Sequence, residues 1–133
     1  MEISSFDVAV SVARALGHPA RLRTVAMLRS GELCVCQITA VLGLATSTVS
    51  VHLRELRRAG LVRERKDGRW VYFELSDEPE TRPWIDTALA AVADDPQLED
   101  DRAKVAELRR LPVENVCRLG YEAARVRAEE EEG

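Results

Sequence analysis

No stretch of the 133 residues approaches the ~20 consecutive apolar residues that a membrane span requires. Cysteine is scarce, at 3, and histidine scarcer, at 2. No Cys-x-x-Cys pair occurs, so a zinc site finds little support in the spacing. With 7 glycines and 5 prolines, collagen-like and low-complexity chains are excluded. The opening run MEISSFDVAV carries acids and no basic n-region, so no secretory signal is expected. A cytoplasmic location is the expectation, and thiols stay reduced there. Three cysteines in that compartment read as free thiols or metal ligands rather than disulfides. Nothing resembles a phosphate loop, a cofactor fingerprint or a nucleophile–base pair, so no enzyme is expected.

What is present suffices for a folded domain, at 46% hydrophobic and 32% charged residues. The net charge of −4 conceals an asymmetry. Residues 1–76 hold 11 basic against 7 acidic side chains, and residues 77–133 hold 8 against 16. Within residues 46–69 alone, 7 basic side chains face 3 acidic ones. An acidic protein with its basic charge gathered in one place can still bind nucleic acid.

Hydrophobic periodicity predicts helices over 6–16 and from Pro19 to about Ser30, then a short one over about 35–43 with Ile38, Val41 and Leu42 as its stripe. A tight turn over 44–46 leads into a helix from Ser47 to Gly60, with Val49, Leu53 and Leu56 inward. The period then changes to two. LVRERK, Asp67-Gly68 and RWVYFEL read as a β-hairpin, since Asp-Gly is a strong hairpin signal. Helical patterns return over 82–95 and about 97–110, and again after Pro112. The run EEEEG is expected to be a disordered, solvated tail.

Short helix, turn, second helix and hairpin is the order of a winged helix-turn-helix. The fold class expected is therefore mainly α with a β-hairpin wing and a C-terminal helical extension. The second helix needs one buried face and one face free for the major groove. With Val49, Leu53 and Leu56 inward, Ser47, Val51, Arg54 and Arg58 lie opposite, flanked by Thr48 and Ser50. Small hydroxyls can approach base edges, and arginines reach phosphates or guanine. Arg65, Lys66 and Arg69 at the hairpin tip suit the DNA backbone or minor groove. The plainer alternative is a solvated helix face beside an ordinary hairpin. His52 sits at the edge of the buried face and reads as a packing or capping residue.

Cys34 and Cys36 lie at the start of the first helix of this motif, with Cys117 far away in sequence. Thiolates select soft, thiophilic ions. On a regular helix, residues i and i+2 point about 200° apart, so the pair can share an ion only if the helix start distorts. Such binding would disturb the helix that supports the DNA reader. The plainer alternative is three small, semi-buried residues.

The combination of Glu32-Leu33-Cys34-Val35-Cys36-Gln37, Ser47-Thr48-Val49-Ser50-Val51-His52-Leu53, Leu56, Ala59-Gly60-Leu61-Val62 and Gly68-Arg69-Trp70-Val71-Tyr72 resembles the ArsR/SmtB family of bacterial repressors. The resemblance covers residues from about 8 to 95. It implies a dimeric winged helix-turn-helix that represses operons for metal resistance and leaves DNA when its ion binds. It also implies a dimer built mainly from the first helix and the helix after the wing. The ELCVC run resembles the arsenic- and antimony-responsive branch, whose paired thiolates match Cys34 and Cys36. That branch often has Asp where Gln37 stands, a change expected to matter little. It often has a further cysteine nearby in the helix, where Thr39 stands here. Trivalent arsenic takes three thiolates in a trigonal pyramid, so Cys117 becomes the candidate third ligand, from the same subunit or its partner. An external thiol such as glutathione is the alternative. The family's zinc site on the helix after the wing needs histidine; that segment has Asp86, Asp94 and Asp95 and none, so no such site is expected.

The reading is a homodimeric, arsenite- or antimonite-responsive repressor of operator DNA that needs no cofactor to bind DNA and touches no membrane. Residues 1–95 would form the DNA-binding and dimerisation unit, 96–128 a helical extension and 129–133 the tail. The alternatives use the same thiols to sense lead, cadmium or zinc, or to respond to oxidation through pairing of Cys34 or Cys36 with Cys117.

Overall fold

Residues 5–133 are described by the computed structural model; the first four residues of the expected 1–95 unit lie outside the described residues. Helix α1 (Ser5–Leu16) and helix α2 (Pro19–Leu28) meet at Gly17-His18. Proline at the first position of α2 is preset for the helix, and His18 Nδ1 accepts the Ala20 N–H at 3.1 Å. Helix α1 carries two apolar stripes. Val8, Val12 and Ala15 pack inward, whereas Phe6 and Val10 stay exposed, Phe6 at 76%.

Strand β1 (Leu33–Cys34) leads into α3 (Val35–Leu42), which ends at Gly43 in the left-handed conformation, φ 67°. Helix α4 (Thr46–Arg58) buries Val49, Leu53 and Leu56, the three residues its period puts inward. They meet Leu33, Ile38, Leu61 and Phe73 in one core, where each fully buried side chain contributes about 1.5–3 kcal/mol. Strands β2 (Val62–Asp67) and β3 (Trp70–Leu75) form the wing, and β1 adds to give the antiparallel order β1-β3-β2. Two residues are too short for a period of two to register, so β1 has no sequence signature. The wing turn is displaced by one residue from the expected Asp67-Gly68. Asp67 pairs with Trp70, and Gly68-Arg69 make the loop, with Gly68 at φ +60°. Glycine alone at positive φ in the first central position is the pattern of a type II′ turn.

Helices α5 (Arg82–Ala91), α6 (Pro96–Leu108), α7 (Val113–Leu119) and α8 (Tyr121–Glu132) complete the chain. Helix α5 stops at Ala91, short of the expected end near 95, because Asp95 instead caps α6 by accepting the Gln97 N–H at 2.8 Å. The expected last helix is split at Gly120, φ +86°. The expected disordered tail is corrected too: α8 runs on to Glu132. Ion pairs one turn apart, Arg125–Glu129 and Arg127–Glu131, support that end.

The extension shares the core of the winged helix, through Val105, Leu108, Leu111 and Val116. It is also tied by a buried ion pair. Arg23 of α2 donates from Nε and Nη2 to the two carboxylate oxygens of Asp101 on α6, each at 2.9 Å. Asp101 is 2% exposed and accepts a third bond from Gln97. Arg23 Nη2 also reaches the Val41 carbonyl near the end of α3, at 3.4 Å.

Candidate functional site

Cys34 is the last residue of β1, in extended backbone at φ −73° and ψ 150°, and Cys36 is the second residue of α3. The strand-to-helix junction therefore does what an unwound helix start was expected to do. It turns the two side chains to one side, and α3 itself stays regular. Helix α7 packs on α3 and brings Cys117 of the same chain to the same point. The three sulfurs lie within 4.8 Å of one another. Among the described residues no other group of three or more Cys, His, Asp or Glu converges in this way.

One expectation is overturned. Cys36 and Cys117 are joined as a disulfide, with Cα atoms 5.1 Å apart, and only Cys34 is a free thiol. Its Sγ lies 4.0 Å from that of Cys117. The expectation rested on compartment, whereas the pairing follows from α7 seating Cys117 against α3, which local pattern does not reveal.

Cys34 is 1% exposed, and its backbone N–H donates to Gln37 Oε1 at 2.8 Å. Gln37 is itself buried. It fixes the junction between the two cysteines, a larger role than its sequence position suggested. Across the sheet Cys34 sits opposite Tyr72. Burial pushes the Tyr72 phenol up, and the nearby Cys34 adds to this.

Helix α4 presents Ser47, Thr48, Ser50, Val51, Arg54 and Arg58 to solvent, all exposed. Their charges differ in freedom. Arg54 makes no hydrogen bond or ion pair among the described residues. Arg58 leans on Glu55 at 3.5 Å, and Arg57 is held by Glu64 at 2.8 Å. On the wing, Arg65 is clamped by both carboxylate oxygens of Glu32, at 2.6 and 2.8 Å, and lies over the Tyr72 ring. The Arg65 guanidinium holds the Glu32 carboxyl below its ordinary range. Lys66 approaches Glu64 at 3.8 Å, and Arg69 stacks over Trp70 at 5.3 Å. Glu32 thus withdraws Arg65 from the pool of free cations, which residue type alone does not show.

Residues 18–64, from the cap of α2 into β2, match the bacterial regulatory protein, arsR family. The arsenic resistance transcriptional regulator ArsR1 of Pseudomonas putida is 39% identical over 104 residues, spanning 76% of this chain and 80% of that protein. The chain belongs to the arsR family. Two solved structures of similar fold agree with this. HlyU from Vibrio cholerae superposes with a TM-score of 0.62 at 31% identity, covering 70% of this chain and all of that one. The homodimeric winged helix-turn-helix DNA-binding domain of Mb0332 from Mycobacterium bovis, described as a possible ArsR-family regulator, gives 0.58 at 30% identity, covering 68% and 82%. This arsR-family chain is a winged helix-turn-helix transcriptional regulator and not an enzyme.

Within this arsR-family frame the remaining polar residues fall into place. Asp86 of α5 pairs with Arg29 and Arg82, and Asp95 caps α6. His52 packs its ring on His18, centroids 4.4 Å apart, in line with a packing role. Its Nδ1 is buried without a partner among the described residues. Burial lowers the His52 pKa, and the neighbouring His18 and Arg21 lower it further.

Proposed function

We propose that this arsR-family regulator is a homodimeric repressor that binds operator DNA in its reduced, metal-free form and releases it when Cys34, Cys36 and Cys117 take up trivalent arsenic or antimony. The observation that carries this reading is the convergence of three sulfurs within 4.8 Å, from three separate elements of one chain. Three thiolates on one side of a small ion suit a trigonal pyramidal centre. Two of the sulfurs are joined, so the disulfide must first accept two electrons and two protons from a thiol reductant such as glutathione, two molecules of which leave as their own disulfide. The donor set then matches a soft, thiophilic ion. The name of the P. putida relative, an arsenic resistance regulator, supports the same inducer class.

The chain's own geometry supplies the coupling. Cys34 belongs to the strand hydrogen-bonded to β3, and Cys36 to the helix packed against α4. Pulling the sulfurs together therefore strains both the wing and the reading helix. Ser47, Thr48, Ser50, Val51, Arg54 and Arg58 would enter the major groove, with Arg65, Lys66 and Arg69 on the backbone. In a dimer, Phe6 and Val10 of α1 and the half-exposed Trp84 of α5 would be covered by the partner subunit. On this reading residues 1–95 read DNA and dimerise, and the extension delivers Cys117. Binding is reciprocal, so DNA weakens uptake of the ion by the same factor, about 5–150-fold for a coupling of about 1–3 kcal/mol.

A second reading, favoured by the Cys36–Cys117 disulfide, has oxidation as the signal. Two thiols and one peroxide would then give the disulfide and two waters. Other soft cations such as lead, cadmium or zinc are the third arm. One titration separates them. Labelled DNA from upstream of the protein's own gene is bound to reduced protein and challenged with arsenite, with each divalent cation, and with peroxide. Release by arsenite that is lost in Cys34→Ser supports the proposal; release by peroxide alone replaces it with the oxidation reading.

A further inference from the structure

Beside the thiols lies a cavity of about 490 Å³ that a three-sulfur ion site does not need. It opens from Cys34 and Cys36, while Cys117 is not among its walls. Its apolar walls are Val35, Leu53, Val71 and Phe73, with the Trp70 ring beside them. Arg54 and Arg69 stand around it as cations, while Arg57 is paired with Glu64, itself part of the wall. The cavity is therefore walled by the reading helix on one side and the wing on the other. Roughly 150 Å³ is enough to hold a benzene-sized ring.

We infer that this cavity receives the organic substituent of a mono-substituted trivalent arsenical, aryl in size, held by Cys34 and Cys36. The inference rests on the proposed metalloid-responsive reading and adds the chemical class that the site accepts. A mono-substituted arsenic has only two exchangeable positions. With the disulfide reduced, two As–S bonds form and two As–OH bonds break. The thiol protons leave with the hydroxides as two waters, arsenic stays trivalent, and Cys117 remains a thiol. The third position carries the organic group, and the cavity that opens from Cys34 and Cys36 has room for it. A ring seated there touches α4 and β3 directly, and it lies against Arg54 and Arg69, the two arginines of its wall that have no ion pair among the described residues. The substituted compound therefore acts on the DNA-reading elements without Cys117.

The test compares arsenite with phenylarsine oxide on reduced full-length protein. Release of labelled operator DNA and the intrinsic tryptophan fluorescence of DNA-free protein are both read. In Cys117→Ser the arsenite midpoint is expected to rise at least about tenfold, while that of phenylarsine oxide stays within about threefold. Filling the cavity with Val71→Phe, or with Val35→Phe should the first variant fail to fold, is expected to reverse this. The phenyl compound then weakens by about tenfold and arsenite is unchanged. Stoichiometric phenylarsine oxide is expected to alter the fluorescence of wild-type protein and not that of Cys34→Ser. Equal shifts for both compounds in Cys117→Ser, or a filled cavity that still takes the phenyl compound normally, would overturn the inference. If arsenite releases DNA and phenylarsine oxide does not, the inference falls and the metalloid reading stands. If neither releases DNA, the metalloid reading itself falls.

Discussion

The proposed DNA-reading face lies against the same cavity as Cys34 and Cys36, yet the face and the three-cysteine cluster are assembled in opposite ways. The face is made from one continuous stretch, α4 and the wing, and it presents its charges to water. The cluster is made from residues 81 positions apart, Cys36 and Cys117, around a Cys34 that is 1% exposed. The first depends on local periodicity and survives as long as α4 keeps one face buried. The second exists only when the extension is docked. On the proposed reading, a sensor built this way keeps its output surface simple and puts the specificity for its signal into tertiary packing. The two remain mechanically joined, because β1 carries Cys34 and is hydrogen-bonded to the wing strand β3.

Breaking the cluster without touching the face should have the largest effect. Cys34→Ser or Cys36→Ser should leave operator affinity near wild type and raise the arsenite midpoint by at least about 100-fold, read by DNA anisotropy. If either variant loses DNA binding instead, that cysteine serves the fold rather than the signal. Undocking the extension is the next test. Arg23→Ala leaves the buried Asp101 carboxylate uncompensated, and this should lower stability by about 3 kcal/mol in urea unfolding. A loss under about 1 kcal/mol would mean that the pair contributes little to holding the extension.

Perturbing the face alone should be milder. Arg54→Ala should weaken DNA binding by about tenfold and reduce the log–log salt slope by about 1. Arg65→Ala should cost less, because Glu32 already neutralises Arg65. Equal losses for the two would show that the Glu32 clamp opens on DNA. The smallest effect concerns pH. His52 has a folded-state pKa below its ordinary value of 6.5. The unfolded chain therefore binds a proton that the folded one resists. The contribution is fully present above about pH 6.5 and declines as pH falls below it. The urea midpoint of wild type should fall between pH 7 and pH 5.5, and His52→Gln should flatten that slope.

The legible and illegible parts of the molecule divide along the same line. Val49, Leu53 and Leu56 announce the buried face of α4 by their spacing, and so the outward residues follow. The change of period marks the wing. The turn within it was displaced by one residue, since Asp-Gly and Gly-Arg loops differ only in which pair closes the ladder. Strand β1 is too short to have a period. Gln37 looked like a tolerated substitution, yet its side chain caps the backbone of Cys34, a contact visible only in three dimensions. The same holds for Glu32 on Arg65 and Asp101 on Arg23. The acidic tail looked unstructured by charge count, but its acids fall one turn from Arg125 and Arg127. Cys117 follows from the resemblance as a third ligand, and from the oxidation alternative as a disulfide partner of Cys34 or Cys36; that the bond goes to Cys36 is decided by the packing of α7 on α3.

The most direct test measures release of labelled operator DNA by arsenite from two preparations of wild-type protein, one fully reduced and one with the Cys36–Cys117 disulfide intact. The account predicts that both bind DNA before arsenite is added, and that only the reduced protein lets go, at near-stoichiometric arsenite. Release at the same arsenite concentration from both preparations, or from neither, would contradict it.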